Sequence, residues 1–198
     1  MSEFNSASVT ALQKSHTAGW HESDPAVTQS GFAGLVESNH QQNFLLWHEE
    51  DVARRNDLGP ERIMQAKRAI DGYNQARNNF IEQIDKFLVE QLSPATEGVP
   101  FNSETPGMMI DRLSILSLKD YHMAEEVARD DASDDHIAAC QKKLETIKRQ
   151  ISDLSLALDE LLRDVASGTR SFRVYFQFKM YNDPSLNPQL RDADQKTS

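Results

Sequence analysis

Apolar residues recur at helical spacing through most of this chain and switch to strand spacing only near its end. The pattern predicts a first long helix over about residues 34–56, stopped by the Gly59-Pro60 pair. Pro60 suits the first turn of a second helix over about residues 60–92, where Ile63, Ala66, Ile70, Tyr73, Ile81, Ile84 and Leu88 follow the 3.6 period. Prolines, a glycine and small polar residues between Ser93 and Ser103 read as a loop. Thr105-Pro106 has the order of a helix cap followed by a first-turn proline, and predicts a third helix reaching about Asp130. The run Asp130, Asp131, Ser133, Asp134, Asp135 then breaks the chain, and its charges favour the positive N-terminal end of a fourth helix.

That fourth helix carries the clearest signal. Ile137, Cys140, Leu144, Ile147, Ile151, Leu154, Leu158, Leu161 and Val165 alternate spacings of three and four, a seam sustained until Ser167-Gly168. Packing of the seam inside its own domain is the simpler reading, ahead of an intermolecular coiled coil. After Gly168 the period is two: Phe172, Val174, Phe176, Phe178 and Met180 alternate with Arg173, Tyr175, Gln177, Lys179 and Tyr181. A lone strand leaves backbone groups unpaired, so it must dock on the bundle, find a short partner strand or pair with another copy. Residues 1–30 lack sustained periodicity apart from a short helix around Val9 to Lys14 and are expected to form a flexible arm, while residues 191–198 form a polar tail. The expected fold is all-α: an antiparallel four-helix bundle with an extended, strand-like C-terminal segment, in a single domain over residues 31–190.

Composition narrows the setting. A 198-residue chain can bury a sizeable core, and its one cysteine, Cys140, cannot form an internal disulfide, which suits a reducing cytoplasm. No apolar run approaches the roughly 20 residues of a membrane span, and the first residues lack the pattern of a signal peptide. A net charge of -10 disfavours nucleic acid.

Candidate chemistry comes from polar residues on helix faces expected to be buried. The third helix is apolar on nearly every side, yet Asp111, Arg112, Lys119, His122 and Glu126 project into one sector. The first places Asn43, Trp47, Glu50, Asp51 and Arg54 on one face, and the second adds Asp71, Asn74 and Asn78 opposite its apolar side. These residues form either a self-satisfied structural network or an inter-helix pocket. On the pocket reading, the cations suit an anionic small molecule such as a phosphorylated sugar or nucleotide. A different class of function is a non-enzymatic scaffold or regulator that uses the seam and C-terminal strand for self- or partner association.

A third reading is a metal-dependent hydrolase, in which His122 joins Glu50, Asp51, Asp71 or Asp111 around a divalent ion. It lacks the Glu-x-x-His pairs of di-iron bundles: His122-x-x-Glu125 has the reverse order, and His48-Glu49 lacks the second histidine of a zinc-protease motif. No ligand set and no cofactor are therefore indicated. Phosphate-loop, dinucleotide and nucleophile-elbow patterns are missing, and Cys140 lies on the apolar seam.

Three stretches carry a family resemblance: residues 43–51 (NFLLWHEED), residues 104–119 (ETPGMMIDRLSILSLK) and residues 177–184 (QFKMYNDP). They resemble an uncharacterised bacterial family of about 200-residue helical proteins, a domain of unknown function with the pattern ETPGxxxDRLSILxLK, over about residues 30–190. The resemblance implies a helical cytoplasmic protein with a place in surface-polysaccharide metabolism, and brings no activity or catalytic assignment.

Overall fold

The computed structural model describes residues 4–178 together with 180, 183, 185–189 and 191. Among these there are five helices and no strand: α1 Ser6–Glu22, α2 Gly31–Ala53, α3 Pro60–Leu92, α4 Pro106–Val127 and α5 Asp134–Ala166. The chain is all-helical, but the four-helix reading is corrected by α1, which occupies the expected flexible arm. Asn5 caps it by accepting from the Ser8 N–H at 2.8 Å, and Asp159 of α5 accepts from the N–H and hydroxyl of Ser6, both at 2.7 Å.

The added helix α1 also runs parallel to α2 and α4, alongside the alternating order of α2 to α5. Along α1 and α4, Gln13 reaches Ile110, Thr17 reaches Ser117 and His21 stacks on Tyr121, so the two helices run parallel. Along α2 and α4, Asn39 and Asn43 reach Asp111 and Trp47 reaches His122, again parallel. Only α3 and α5 run the opposite way, with Arg62 meeting Glu49 and Arg77 meeting Asn43 on α2, and His136 meeting Glu126 on α4. Parallel α1 and α2 need a return path, and residues 23–30 supply it as an extended strap along α2. Pro25 accepts from Gln41 at 3.0 Å, while Thr28 and Gln29 donate their N–H groups to Glu37 at 3.0 and 2.7 Å.

α4 packs against all four other helices, which accounts for apolar side chains on nearly every side of it. Ile110, Leu113 and Leu116 meet Val9, Val36, Ile84, Leu88 and the α5 seam in one core. Cys140, Leu144, Ile147, Leu154, Leu158, Leu161 and Val165 are buried, so the seam is satisfied within the chain. Gly168 ends α5 at φ 70°, the left-handed conformation that glycine takes without strain. Beyond it Phe172 is buried, but the strand-like segment makes one isolated parallel bridge, Phe101 to Ser171, and Phe178 is 83% exposed. The expectations for Lys179, Tyr181, Asn182, Pro184 and the tail 192–198 lie outside the described residues. No helix among those described is long and apolar enough to cross a membrane.

Candidate metal centre

The polar residues expected at one site divide into three groups. The first is a buried network between α2, α3 and α4. Asp111 accepts from Asn39 Nδ2 at 3.0 Å, Asn43 Nδ2 at 2.9 Å and Arg77 Nη1 at 2.9 Å. Arg77 also donates to Asn74 at 3.1 Å and to Asn43 Oδ1 at 3.3 Å, and Asn43 donates to Ser114 at 3.0 Å. Next to it His40 bridges Ser114 at 2.7 Å and Thr17 at 3.0 Å. Burial, aided by nearby His16, lowers the His40 pKa to about 3, so its imidazole is neutral. Both oxygens of Asp111 are engaged with donors, as a buried carboxylate requires.

The second group faces solvent or open hollows. Arg112 and Lys119 are exposed, and line a groove between α4 and α5 with Gln150 and Asp153 rather than sharing a sector with Asp111 and His122. Arg112 is paired with Glu104 and Arg54 with Glu50. Asp71 lines a shallow hollow with Arg55, Lys67 and Arg68, Asp51 is exposed, and Asn78 is half-buried on α3. Glu126 pairs with Arg129 and His136.

The third group centres on His122 and includes two residues outside the sequence-based set. His21 of α1, His48 of α2 and His122 of α4 each bring a ring nitrogen within 4.8 Å of the other two. The Nε2 atoms of all three are buried and carry no hydrogen bond. Among the described residues six buried side-chain N or O atoms lack a partner, and three of the six meet here, so the deficit is concentrated rather than scattered.

The opposite side of the rings fixes the chemistry. His21 Nδ1 lies 2.6 Å from the carbonyl oxygen of Thr17, and His122 Nδ1 lies 2.9 Å from Glu125 Oε2. Both partners can only accept, so Nδ1 carries a proton in each ring, and the neutral form of either imidazole presents its lone pair at Nε2. This is the arrangement of metal-ligating histidines, whose second nitrogen donates to a carbonyl or carboxylate. Burial, followed by His21 and His122, lowers the pKa of His48 and favours its neutral form.

Aromatic rings hold the imidazoles in place. Trp47 stacks on His122 with centroids 5.0 Å apart and planes at 7°, and Tyr121 stacks on His21 at 4.2 Å. Phe44 meets His21 and His48 edge-on at 5.0 and 4.5 Å. Of the sequence-based candidates, His122 and Trp47 reach this centre, with Asp51 one turn from His48. Asp71 and Asp111, considered with His122 as metal ligands, are bonded elsewhere or exposed. His21 lies in the segment expected to be an arm, and His48 lacks the second histidine of a zinc-protease motif, so neither stands out from the sequence alone.

Fold and site together define an all-helical bundle protein with a three-histidine cluster where three parallel helices converge. Residues 33–174 match a family described as proteins of unknown function, DUF4254, and the chain belongs to that family. No curated protein and no solved structure matches the chain. His48 and His122 lie within the matched residues and His21 precedes them.

Proposed function

We propose that this protein is a metalloprotein whose centre is His21, His48 and His122, used for metal-dependent hydrolytic chemistry. One observation carries the reading: three rings whose Nε2 atoms are buried and unpartnered bring a ring nitrogen each within 4.8 Å of the others, and two of them hold a proton at Nδ1. Neutral imidazoles suit zinc, iron, nickel or copper. Tetrahedral zinc places ligand nitrogens about 3.3 Å apart, so these atoms need to draw in by no more than about 1.5 Å. Three protein ligands leave a coordination position for water, whose pKa a bound zinc ion lowers to about 7. The test is elemental analysis of protein purified without chelators and again after reconstitution. About one equivalent of a transition metal is expected, lost in His48→Ala and His122→Ala. A chain that stays metal-free after reconstitution with zinc, cobalt, nickel and iron would overturn the reading.

A second reading keeps the anionic small molecule at a different place. It is supported by the groove of about 490 Å³ where Arg112 and Lys119 lie together, with no ion pair to Lys119 among the described residues. A thermal-shift screen of phosphorylated sugars and nucleotides tests it. The shift produced by a true ligand should shrink in Arg112→Lys, which replaces a planar fork by a compact ammonium.

A further inference from the structure

The three helices that carry the histidines all end beside them: α1 at Glu22, α2 at Ala53 and α4 at Val127. A helix C-terminus carries about half a negative charge on its free carbonyls, so the parallel packing gathers three negative ends around one centre. Carboxylates add to this field. Glu125 touches His122, Asp51 follows His48 by three residues near the end of α2, and Glu22 follows His21 directly at the end of α1. The side chains of Glu22 and Asp51 form no hydrogen bond or ion pair among the described residues. The arginines nearby are already held by other acids: Arg54 by Glu50, Arg55 by Asp57, Arg62 by Glu49, and Arg129 by Glu126 and Asp131. Three carboxylates and three helix ends outweigh the two charges of a bound divalent ion.

We propose, resting on the three-histidine reading, that this centre accepts an uncharged or cationic small molecule at its open metal position and turns away phosphate and carboxylate groups. The geometry favours capture of the metal cation and leaves a net negative surround for whatever binds next. It separates the centre from the Arg112–Lys119 groove, where an anion would find cations instead.

Cobalt substitution tests the proposal, because the visible absorption of a cobalt ion bound by three imidazoles reports both occupancy and exchange of the remaining ligand. Cobalt-loaded wild type and the double variant Glu22→Gln/Asp51→Asn are titrated at low salt with inorganic phosphate and, separately, with neutral imidazole. Neither substituted side chain hydrogen-bonds a histidine. Phosphate binding should tighten by about tenfold in the double variant, since two unit charges beside the centre are removed, while imidazole affinity stays level. Equal phosphate affinity in the two proteins, with the cobalt spectrum intact, would overturn the substrate class and leave the metal centre standing. Absence of a cobalt spectrum in wild type would remove the metal centre, and this inference with it.

Discussion

Two polar clusters lie on the same pair of helices and have opposite characters. Around Asp111, donors and acceptors are matched: Asn39, Asn43 and Arg77 converge on one carboxylate, and Ser114 and His40 extend the chain of bonds. From Asn43 to His48 is about one and a half turns along α2. There three imidazoles meet, and among the described residues the Nε2 atom of each makes no hydrogen bond. A buried polar group that is satisfied specifies packing, whereas a buried group left bare at a cost of about 1–3 kcal/mol has its partner outside the chain. The difference separates structural polarity from a binding site more sharply than burial or charge alone.

The largest expected effect tests the closed cluster. Asp111→Ala leaves Arg77 without its carboxylate and should cost about 3–5 kcal/mol in denaturant unfolding. A loss below about 1 kcal/mol would show that the network is not what holds these helices together. Next comes a group of intermediate kind. Asp85 is 1% exposed, accepts from the Gly107 N–H at 2.7 Å through one oxygen, and leaves the other bare. A Cβ at Gly107 would lie 2.6 Å from the carbonyl oxygen of Ile81 and 2.8 Å from Asp85, so only glycine permits this approach.

Burial, opposed by bonds from Thr105 and Gly107, raises the Asp85 pKa to about 7, well above the ordinary carboxylate value of 3.8. The folded protein therefore binds this proton more tightly than the unfolded chain does. The stability this contributes is fully present below about pH 4 and is lost as pH rises through 7, approaching at most about 4 kcal/mol. Unfolding of wild type and Asp85→Asn, followed from pH 4 to 8, should show a gap that changes in favour of the variant as pH rises. A gap independent of pH would mean that Asp85 does not titrate in this window.

Smaller effects belong to the open cluster. Zinc at a hundredfold excess over its dissociation constant should stabilise wild type by about 2.7 kcal/mol, read as a rise in Tm, and should leave His48→Ala unmoved. Without metal, His48→Ala should change stability by less than about 1 kcal/mol, because the Nε2 atom that it removes makes no hydrogen bond. A metal-free loss as large as that of Asp111→Ala would make the histidines a structural cluster like their neighbour.

The sequence carried most helix positions and little of their assembly. α3 begins at Pro60 and ends at Leu92 as its proline and apolar period require, and the α5 seam is buried as read. α1 was harder to read because three of its five buried positions, Ser6, Gln13 and Thr17, are polar and do not register in an apolar period. The direction of α1 depends on the segment that follows it, which carries no apolar period to read. Eight extended residues reach about 26–29 Å, enough to retrace the roughly 26 Å of a 17-residue helix. Asn43, Asp111 and His122 were legible as polar groups on buried faces. Asn39, His40 and Arg77 were not, since their partners lie on other helices, and no local spacing joins His21, His48 and His122.

With a metal bound as proposed, the strap of residues 23–30 would make the centre a chelate closed by one short tether. His21 reaches His48 and His122 through that stretch, which Glu37 and Gln41 hold against α2. While the tether is whole, the third imidazole is present at the millimolar or higher effective concentration of a short linker. Cut between Asp24 and Thr28, the same three ligands would assemble only by recruiting α1 from solution. The chain would become a two-part receptor whose hold on a metal depends on how much of the helix is supplied.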